Sequence, residues 1–466
     1  MSPLEQLSGT DSALLALESP ETPMQVLGVL VLDPTDSDST YSFNRLCDVL
    51  VERIPHMPPF TRELVQVPLH LDRPYWQPVS DVDVAAHVNR ITARPPGDWH
   101  VLADVVGDIA SQLLPRDRPL WHLTVVEGLE DGRIALVARI HHATLYGATG
   151  VEFMAQLLDF DAEGRTMEPP PKQEKSAGPS QQELLARAAL HAAAAPIRIG
   201  KVAAGSAGGL LGGVVKRVRG GMSGLKPDFG APDTMLTGQL TANRSTAFTR
   251  VPLDDLKAVK DRHGGTVNDV VLTAVTGALR EYFLKHGDDS GTRPLANCPM
   301  SVGGADIAGT DRITWLGINL PVDLAEPLDQ LRAVSKETAG AKESTQAMGE
   351  GFIADVADAT PALMLAGGGR LYSRLGLSRY HPPLCSLVVS NMMGPPVPLY
   401  LAGARIEAVF PLGPLLPQSG LNVTVLSDMG YLDIGLIACP DLVPDAWSIA
   451  NGIVDAVARL RATVES

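Results

Sequence analysis

The sequence predicts an α/β fold, and three observations carry that expectation. Strand-length runs of aliphatic and β-branched residues, such as Arg133–Ile140, alternate with segments whose apolar residues fall at helical spacing, such as 148–158. The chain is 466 residues long, enough for two domains or one large pseudo-dimeric unit. Its hydrophobic content, 45%, suits a sizeable core.

In chain order, Asp11–Glu18 reads as a short helix and Pro23–Asp33 as a strand. Phe43–Arg53 is an amphipathic helix, closed by the Pro-rich turn 55–59. Trp76 and the lone His87 follow, with His87 read as a satisfied structural histidine. Pro119-Leu120-Trp121 leads into an alternating strand that ends near Leu129. The strand 133–140 then runs into His141-His142-Ala143-Thr144-Leu145-Tyr146-Gly147, and 148–158 returns to helical spacing. The two histidines therefore sit where a buried strand becomes a turn, a place that holds a base rigidly and leaves it reachable.

A Pro-, Lys- and Ser-rich connector covers 168–180. From 183 to 226 the chain is Ala- and Gly-rich and basic, with Leu210, Leu211, Val214, Val215 and Val218 beside Lys216, Arg217 and Arg219. Two readings fit: a segment lying on an anionic lipid surface, or a loose crossover helix weakened by its glycines. Beyond it, 246–253 reads as a strand and 254–263 as a helix, and Thr266 with Asp269 marks the start of a long helix. Asn268 and Asp269 either orient a substrate or cap that helix. Strands at 314–323, 421–426 and 431–438 and helices at 327–342 and 446–461 complete the chain.

Composition excludes several classes. A net charge of −15 leaves no basic footprint for nucleic acid. The cysteines, Cys47, Cys298, Cys385 and Cys439, are scattered without C-x-x-C spacing, so neither a zinc site nor a disulfide framework is expected. With no secretory leader and no apolar run of about 18 residues, the expectation is a cytoplasmic protein, possible at a membrane or lipid-body surface only as a peripheral one.

His-His-x-x-x-Tyr-Gly after a strand resembles the His-His-x-x-x-Asp-Gly signature of the CoA-dependent acyltransferase superfamily. The Pro-Leu-Trp entry, the Asn268-Asp269-Val270 helix start and Ser390-Asn391-Met392-Met393-Gly394-Pro395 are similar to its wax ester synthase/diacylglycerol acyltransferase branch. Gln25 stands where that branch has His, and Gly303 where it has Arg. The resemblance implies two chloramphenicol-acetyltransferase-like lobes, each a mixed sheet flanked by helices, with a tunnel between them. Their expected bounds are 1–167 and 241–466, with 168–240 as linker.

The resemblance also implies transfer of an acyl group from acyl-CoA, a co-substrate, to diacylglycerol or a long-chain alcohol, with no further cofactor and no metal. It makes His142 the general base and His141 its supporting neighbour, with Tyr146 and Gly147 supporting the motif. Ser390 and Asn391 join Asn268 and Asp269 as substrate-binding candidates, the former two as a turn that could hold an oxyanion. The branch's aspartate braces the loop through an arginine. With Tyr146 in its place, two readings stand: an acyltransferase braced differently, or a catalytically weak homologue that binds lipid. A condensing enzyme acting on a carrier-protein thioester is the remaining alternative.

Overall fold

In the computed structural model, residues 4–35, 41–145, 150–168, 178–194, 230–302, 312–348 and 380–465 are described. Strand β1 (Glu5–Gln6) leads to helix α1 (Gly9–Leu17), whose N-cap Ser8 accepts from the Asp11 N–H. Strand β2 (Gln25–Asp33) is followed by α2 (Phe43–Arg53), capped by Ser42. Leu46, Leu50 and Ile54, four residues apart, turn one face of α2 and its continuation to the core. Strands β3 (Arg62–Val65), β4 (Tyr75–Pro78) and β5 (Val88–Thr92) precede α3 (Trp99–Ala110). Then come β6 (Trp121–Glu127), β7 (Ile134–His141) and α4 (Gly150–Leu157).

The second half opens with a helix over 181–194, here α5, and continues through β8 (Ser245–Pro252), α6 (Leu253–His263) and α7 (Val267–Lys285). Strands β9 (Leu295–Val302) and β10 (Arg312–Asn319) precede α8 (Pro327–Met348). Strands β11 (Leu387–Met393), β12 (Tyr400–Leu401), β13 (Ala404–Leu412), β14 (Leu421–Asp428) and β15 (Tyr431–Ala438) lead to α9 (Ala446–Glu465).

Two six-stranded mixed sheets form the two lobes, ordered β12-β13-β2-β7-β6-β5 and β10-β9-β11-β14-β15-β8, and a small sheet β1-β4-β3 lies beside them. The expected pair of α/β lobes is present, but the chain does not divide between them at one point. Strands β12 and β13, from the C-terminal half, complete the N-terminal sheet: β13 pairs antiparallel with β2, Leu412 opposite Leu27 and Arg405 opposite Asp33.

A bulge between Ile406 and Ala408 fastens this crossing strand to the other sheet. Arg250 of β8 donates from Nη2 to the Glu407 carbonyl (2.9 Å), and the Val409 N–H donates to Asp433 Oδ2 of β15 (2.8 Å). Arg250 Nε and Asp433 Oδ1 close the circuit at 2.9 Å. The sheets press so closely that a Cβ at Gly435 would collide with the Pro411 carbonyl.

Of the stretch expected as linker, residues 168, 178–194 and 230–240 are described. The stretch contains α5, at the start of the span for which a crossover helix is one of the two readings, and this helix docks Leu184 and Ala188 against Val67 and Tyr75. His191 Nδ1 lies 2.6 Å from Asp72 Oδ2. Leu236 is buried in the C-terminal core. The apolar and basic stretch at 206–226 lies outside the described residues. His87 is structural: it stacks on Trp121 at 4.1 Å between ring centroids and bonds the Trp121 carbonyl at 2.8 Å.

Candidate active site

Strand β7 is buried along its whole length between β2 and β6. Its side chains alternate: Ile134, Leu136, Ala138 and Ile140 join one apolar cluster, while Ala135 and Val137 join another. Arg139 and His141 continue the second face. Arg139 has no carboxylate beside it among the described residues; its Nη1 donates to the Ile109 and Gln112 carbonyls at the end of α3, where a cation meets the negative pole of the helix.

His141, 1% exposed, is the last residue of the strand. A 3-10 turn, His142–Leu145, takes over. The His141 N–H donates to the Leu120 carbonyl (3.0 Å) and the His142 N–H to the Met24 carbonyl (2.9 Å), so the dyad's backbone is held from both sides. Arg62 of β3, its guanidinium over Trp76, donates to the Thr144 carbonyl at 3.2 Å.

The two rings have different surroundings. His141 Nδ1 accepts from the Ala143 N–H at 3.1 Å. Nε2 lies 3.4 Å from Glu18 Oε1, within ion-pair range though off the hydrogen-bonding axis. Glu18, the C-cap of α1, is itself buried: Oε2 accepts from Arg116 Nη2 (2.6 Å) and Oε1 from the Met24 N–H (3.3 Å). Burial alone would raise its carboxyl, but His141 and Arg116 outweigh that and bring it down to about 2.

His142 is partly exposed. Burial pushes its imidazole down to about 4, with neighbouring His141 adding to the shift and its own backbone carbonyl opposing it. It is thus uncharged at neutral pH, and its Nδ1 has no aligned partner among the described residues. Tyr146 and Gly147 lie outside the described residues, as does Gly303.

In the C-terminal lobe the structure shows one of the two readings of Asp269, the helix cap, and corrects one expectation. Asp269 caps its helix: Oδ2 accepts from the Thr266 N–H (2.8 Å), the Thr266 hydroxyl accepts from the Asp269 N–H (3.2 Å), and Oδ1 accepts from Thr338 (2.7 Å). With both oxygens engaged and 5% exposure, it is a cap rather than a substrate ligand. Ser390 and Asn391 are not a turn. They belong to β11, paired parallel with Thr424 and Val425 of β14. The chain turns only after Met393. The structure does bring Asn268 and Asn391 together, Nδ2 of Asn391 lying 3.5 Å from Oδ1 of Asn268. Neither makes a hydrogen bond to His141 or His142 among the described residues.

Glu18, Arg116 and Arg62 were not singled out from the sequence. Arg116 stands four residues before Leu120 in the Pro-Leu-Trp stretch, but no spacing links it to a residue 98 positions earlier. No cluster of three His, Cys, Asp or Glu side chains suited to a metal occurs among the described residues.

Comparison with known proteins adds identity to this geometry. The wax ester synthase/diacylglycerol acyltransferase catalytic domain matches residues 7–271, and the C-terminal domain of the same family matches 310–461. A putative diacylglycerol O-acyltransferase of Mycobacterium tuberculosis strain H37Rv is 32% identical over 98% of this chain and 90% of its own length. A second from that strain is 32% identical over 97% and 94%. Among solved structures, the wax ester synthase/diacylglycerol acyltransferase of Marinobacter aquaeolei VT8 superposes with a TM-score of 0.69 at 23% identity, covering 99% of this chain and 100% of that one. The first condensation domain of the calcium-dependent antibiotic synthetase gives 0.57 at 15% identity, over 99% and 96%. At these identities the last two speak to the fold.

Proposed function

Because this chain belongs to the wax ester synthase/diacylglycerol acyltransferase family and is an acyltransferase, we propose that its acyl transfer runs through His142 as general base. The family implies an acyl-CoA donor and an alcohol or acylglycerol acceptor. In the proposed step the uncharged imidazole takes the acceptor's hydroxyl proton as its oxygen attacks the thioester carbonyl. The C–S bond then breaks and the proton passes to the departing CoA thiolate, leaving an ester and free CoA. The acceptor is a diacylglycerol or a long-chain alcohol, reached through a tunnel between the lobes, and no further cofactor or metal is needed.

One observation carries this reading: His142, a partly exposed residue whose imidazole burial keeps uncharged, stands on a turn whose backbone is bonded to the carbonyls just ahead of β2 and β6. A base at about 4 pulls weakly. Stabilisation of the oxyanion must therefore contribute, and backbone N–H groups or Ser390 and Asn391 are the candidates. Purified His142→Ala, assayed for CoA release from palmitoyl-CoA with diolein, is expected to lose about 10²–10⁴-fold in kcat. Equal rates for this variant and the parent chain would remove His142 from the mechanism.

Tyr146, in the place of the motif's aspartate, favours a second reading in which the chain binds acyl-CoA with little turnover. Tight palmitoyl-CoA binding without CoA release across a panel of alcohols would select it. No helix among the described residues is long and apolar enough to cross a membrane. A peripheral role for the basic segment 183–226, at the cytoplasmic membrane face or on lipid bodies, predicts that deleting 206–226 weakens sedimentation with anionic liposomes. Unchanged sedimentation would exclude it.

A further inference from the structure

The carboxylate of Glu18 touches the dyad turn by two routes. Through Oε1 it faces Nε2 of His141, whose opposite nitrogen accepts the Ala143 N–H. Through the same oxygen it accepts the N–H of Met24, and the carbonyl of Met24 in turn holds the N–H of His142. The residues on both sides of His142, and its own amide, are therefore tied to one buried side chain. That side chain is anchored by Arg116, which bonds Glu18 Oε2 at 2.6 Å and the Leu15 carbonyl at 3.2 Å.

We infer that Glu18, held by Arg116, is a positioning residue for acyl transfer: it sets the ring of His141 and the backbone on either side of His142, and so aims the base. This rests on the reading of His142 given above. An ion pair serving only to close α1 would need Arg116 and a helix end. It would not need an oxygen turned to His141 and to the residue that carries the His142 amide. The carboxylate is ionised throughout the neutral range, so its contribution is a fixed negative charge and a fixed geometry. The chain has Tyr146 where its resemblance places the motif's aspartate. Glu18 and Arg116 supply a carboxylate–guanidinium pair against the same turn.

The test compares Glu18→Gln, His141→Asn and the double variant of the full chain in steady-state palmitoyl-CoA:diolein assays. A displacement of the base by about 1 Å predicts a 10- to 100-fold fall in kcat for Glu18→Gln. The KM for palmitoyl-CoA is expected to stay within about twofold, because binding is not what is lost. If Glu18 acts through His141, the double variant is no slower than the slower single variant. Parental kcat in Glu18→Gln, or two losses that multiply in the double variant, overturns the proposal.

Should Glu18→Gln fail to fold, Glu18→Gln/Arg116→Gln removes both charges and is read in the same way. If His142→Ala retains the parental rate, it is the reading of the base that has failed. Glu18 is then judged by ¹⁵N-histidine NMR. Displaced His142 ring resonances in Glu18→Gln support positioning, and unchanged ones overturn it.

Discussion

The two six-stranded sheets are alike in size and differ in what they bury. Around the C-terminal sheet the core is one apolar body centred on α7, whose Val270, Val271, Ala274, Val275, Ala278 and Leu279 are all buried. Two buried hydroxyls on that helix are satisfied within it: Thr273 and Thr276 donate to the Asp269 and Leu272 carbonyls, each at 2.7 Å. Around the N-terminal sheet the apolar residues split into separate clusters, and between them lie charged and polar side chains. Arg53 and Asp159 pair at 2.6 Å with almost no exposure, and Glu18 meets His141 and Arg116. Ser12 Oγ, Gln25 Oε1, His142 Nδ1 and Thr144 Oγ1 are buried without a partner among the described residues, all on or near the dyad turn.

An unsatisfied buried polar atom costs about 1–3 kcal/mol. The C-terminal sheet buries polar groups as well, Asp433 paired with Arg250 and the Ser245 Oγ and Asp428 Oδ1 atoms, but these are dispersed. A lobe that gathers several at one turn gives up stability there to keep polar chemistry, while its partner acts chiefly as scaffold. The comparison can be broken most directly at Arg53. Arg53→Met leaves the buried Asp159 only the more distant Arg165, at 3.8 Å, and is expected to lower the unfolding free energy by about 3 kcal/mol in urea titrations. Thr276→Val on α7 removes only a bond within its own helix and should change it by less than about 1.5 kcal/mol. The reverse ranking would end the division into scaffold and polar lobe.

A pH dependence follows from the same turn. His142 has a folded value near 4 against an ordinary 6.5, so its uncharged form is favoured by folding. That contribution is complete above about 6.5 and is lost as pH falls towards 4. Glu18, at about 2 against 4.5, contributes fully above 4.5 and loses its share as pH falls towards 2. Acid unfolding should therefore proceed in these two windows, and His142→Ala should flatten the upper one. For the free enzyme, kcat/KM should keep its plateau through pH 6.5, where an ordinary imidazole is half protonated. An acid limb centred near 6.5 would contradict the burial of His142.

Smaller effects sharpen the contrast. Asp433→Ala leaves the Val409 N–H of the crossing strand without its acceptor and should cost about 1–3 kcal/mol in urea unfolding. Asp269→Ala removes half of a capping box and should cost about 1 kcal/mol with kcat unchanged. A fall in kcat there would return Asp269 to the substrate site.

Much of this architecture is legible residue by residue. Phe43–Arg53 is a helix with the bounds its apolar spacing indicates, and Tyr431–Ala438 a strand likewise. The His141-His142 pair stands out because its members are adjacent and follow a buried run. Ser390-Asn391-Met392-Met393 misleads because its polar start looks like a turn, whereas parallel pairing with β14 draws it into the sheet. Tertiary pairing overrides local preference there.

By itself the sequence determined the α/β class, the order of most helices and of the longer strands that flank the dyad and close the chain, the capping box of α7 and the position of the histidine dyad. Those rest on periods and short spacings, which act between near neighbours along the chain. Only the tertiary structure decided that β13 crosses to the N-terminal sheet, that Asp433 and Arg250 hold its bulge, and that Glu18 and Arg116 stand against His141. The physical reason is that a buried charge is tolerated only beside its partner. Which partner arrives depends on how distant strands register, and an apolar strand pattern states its faces without stating its neighbours.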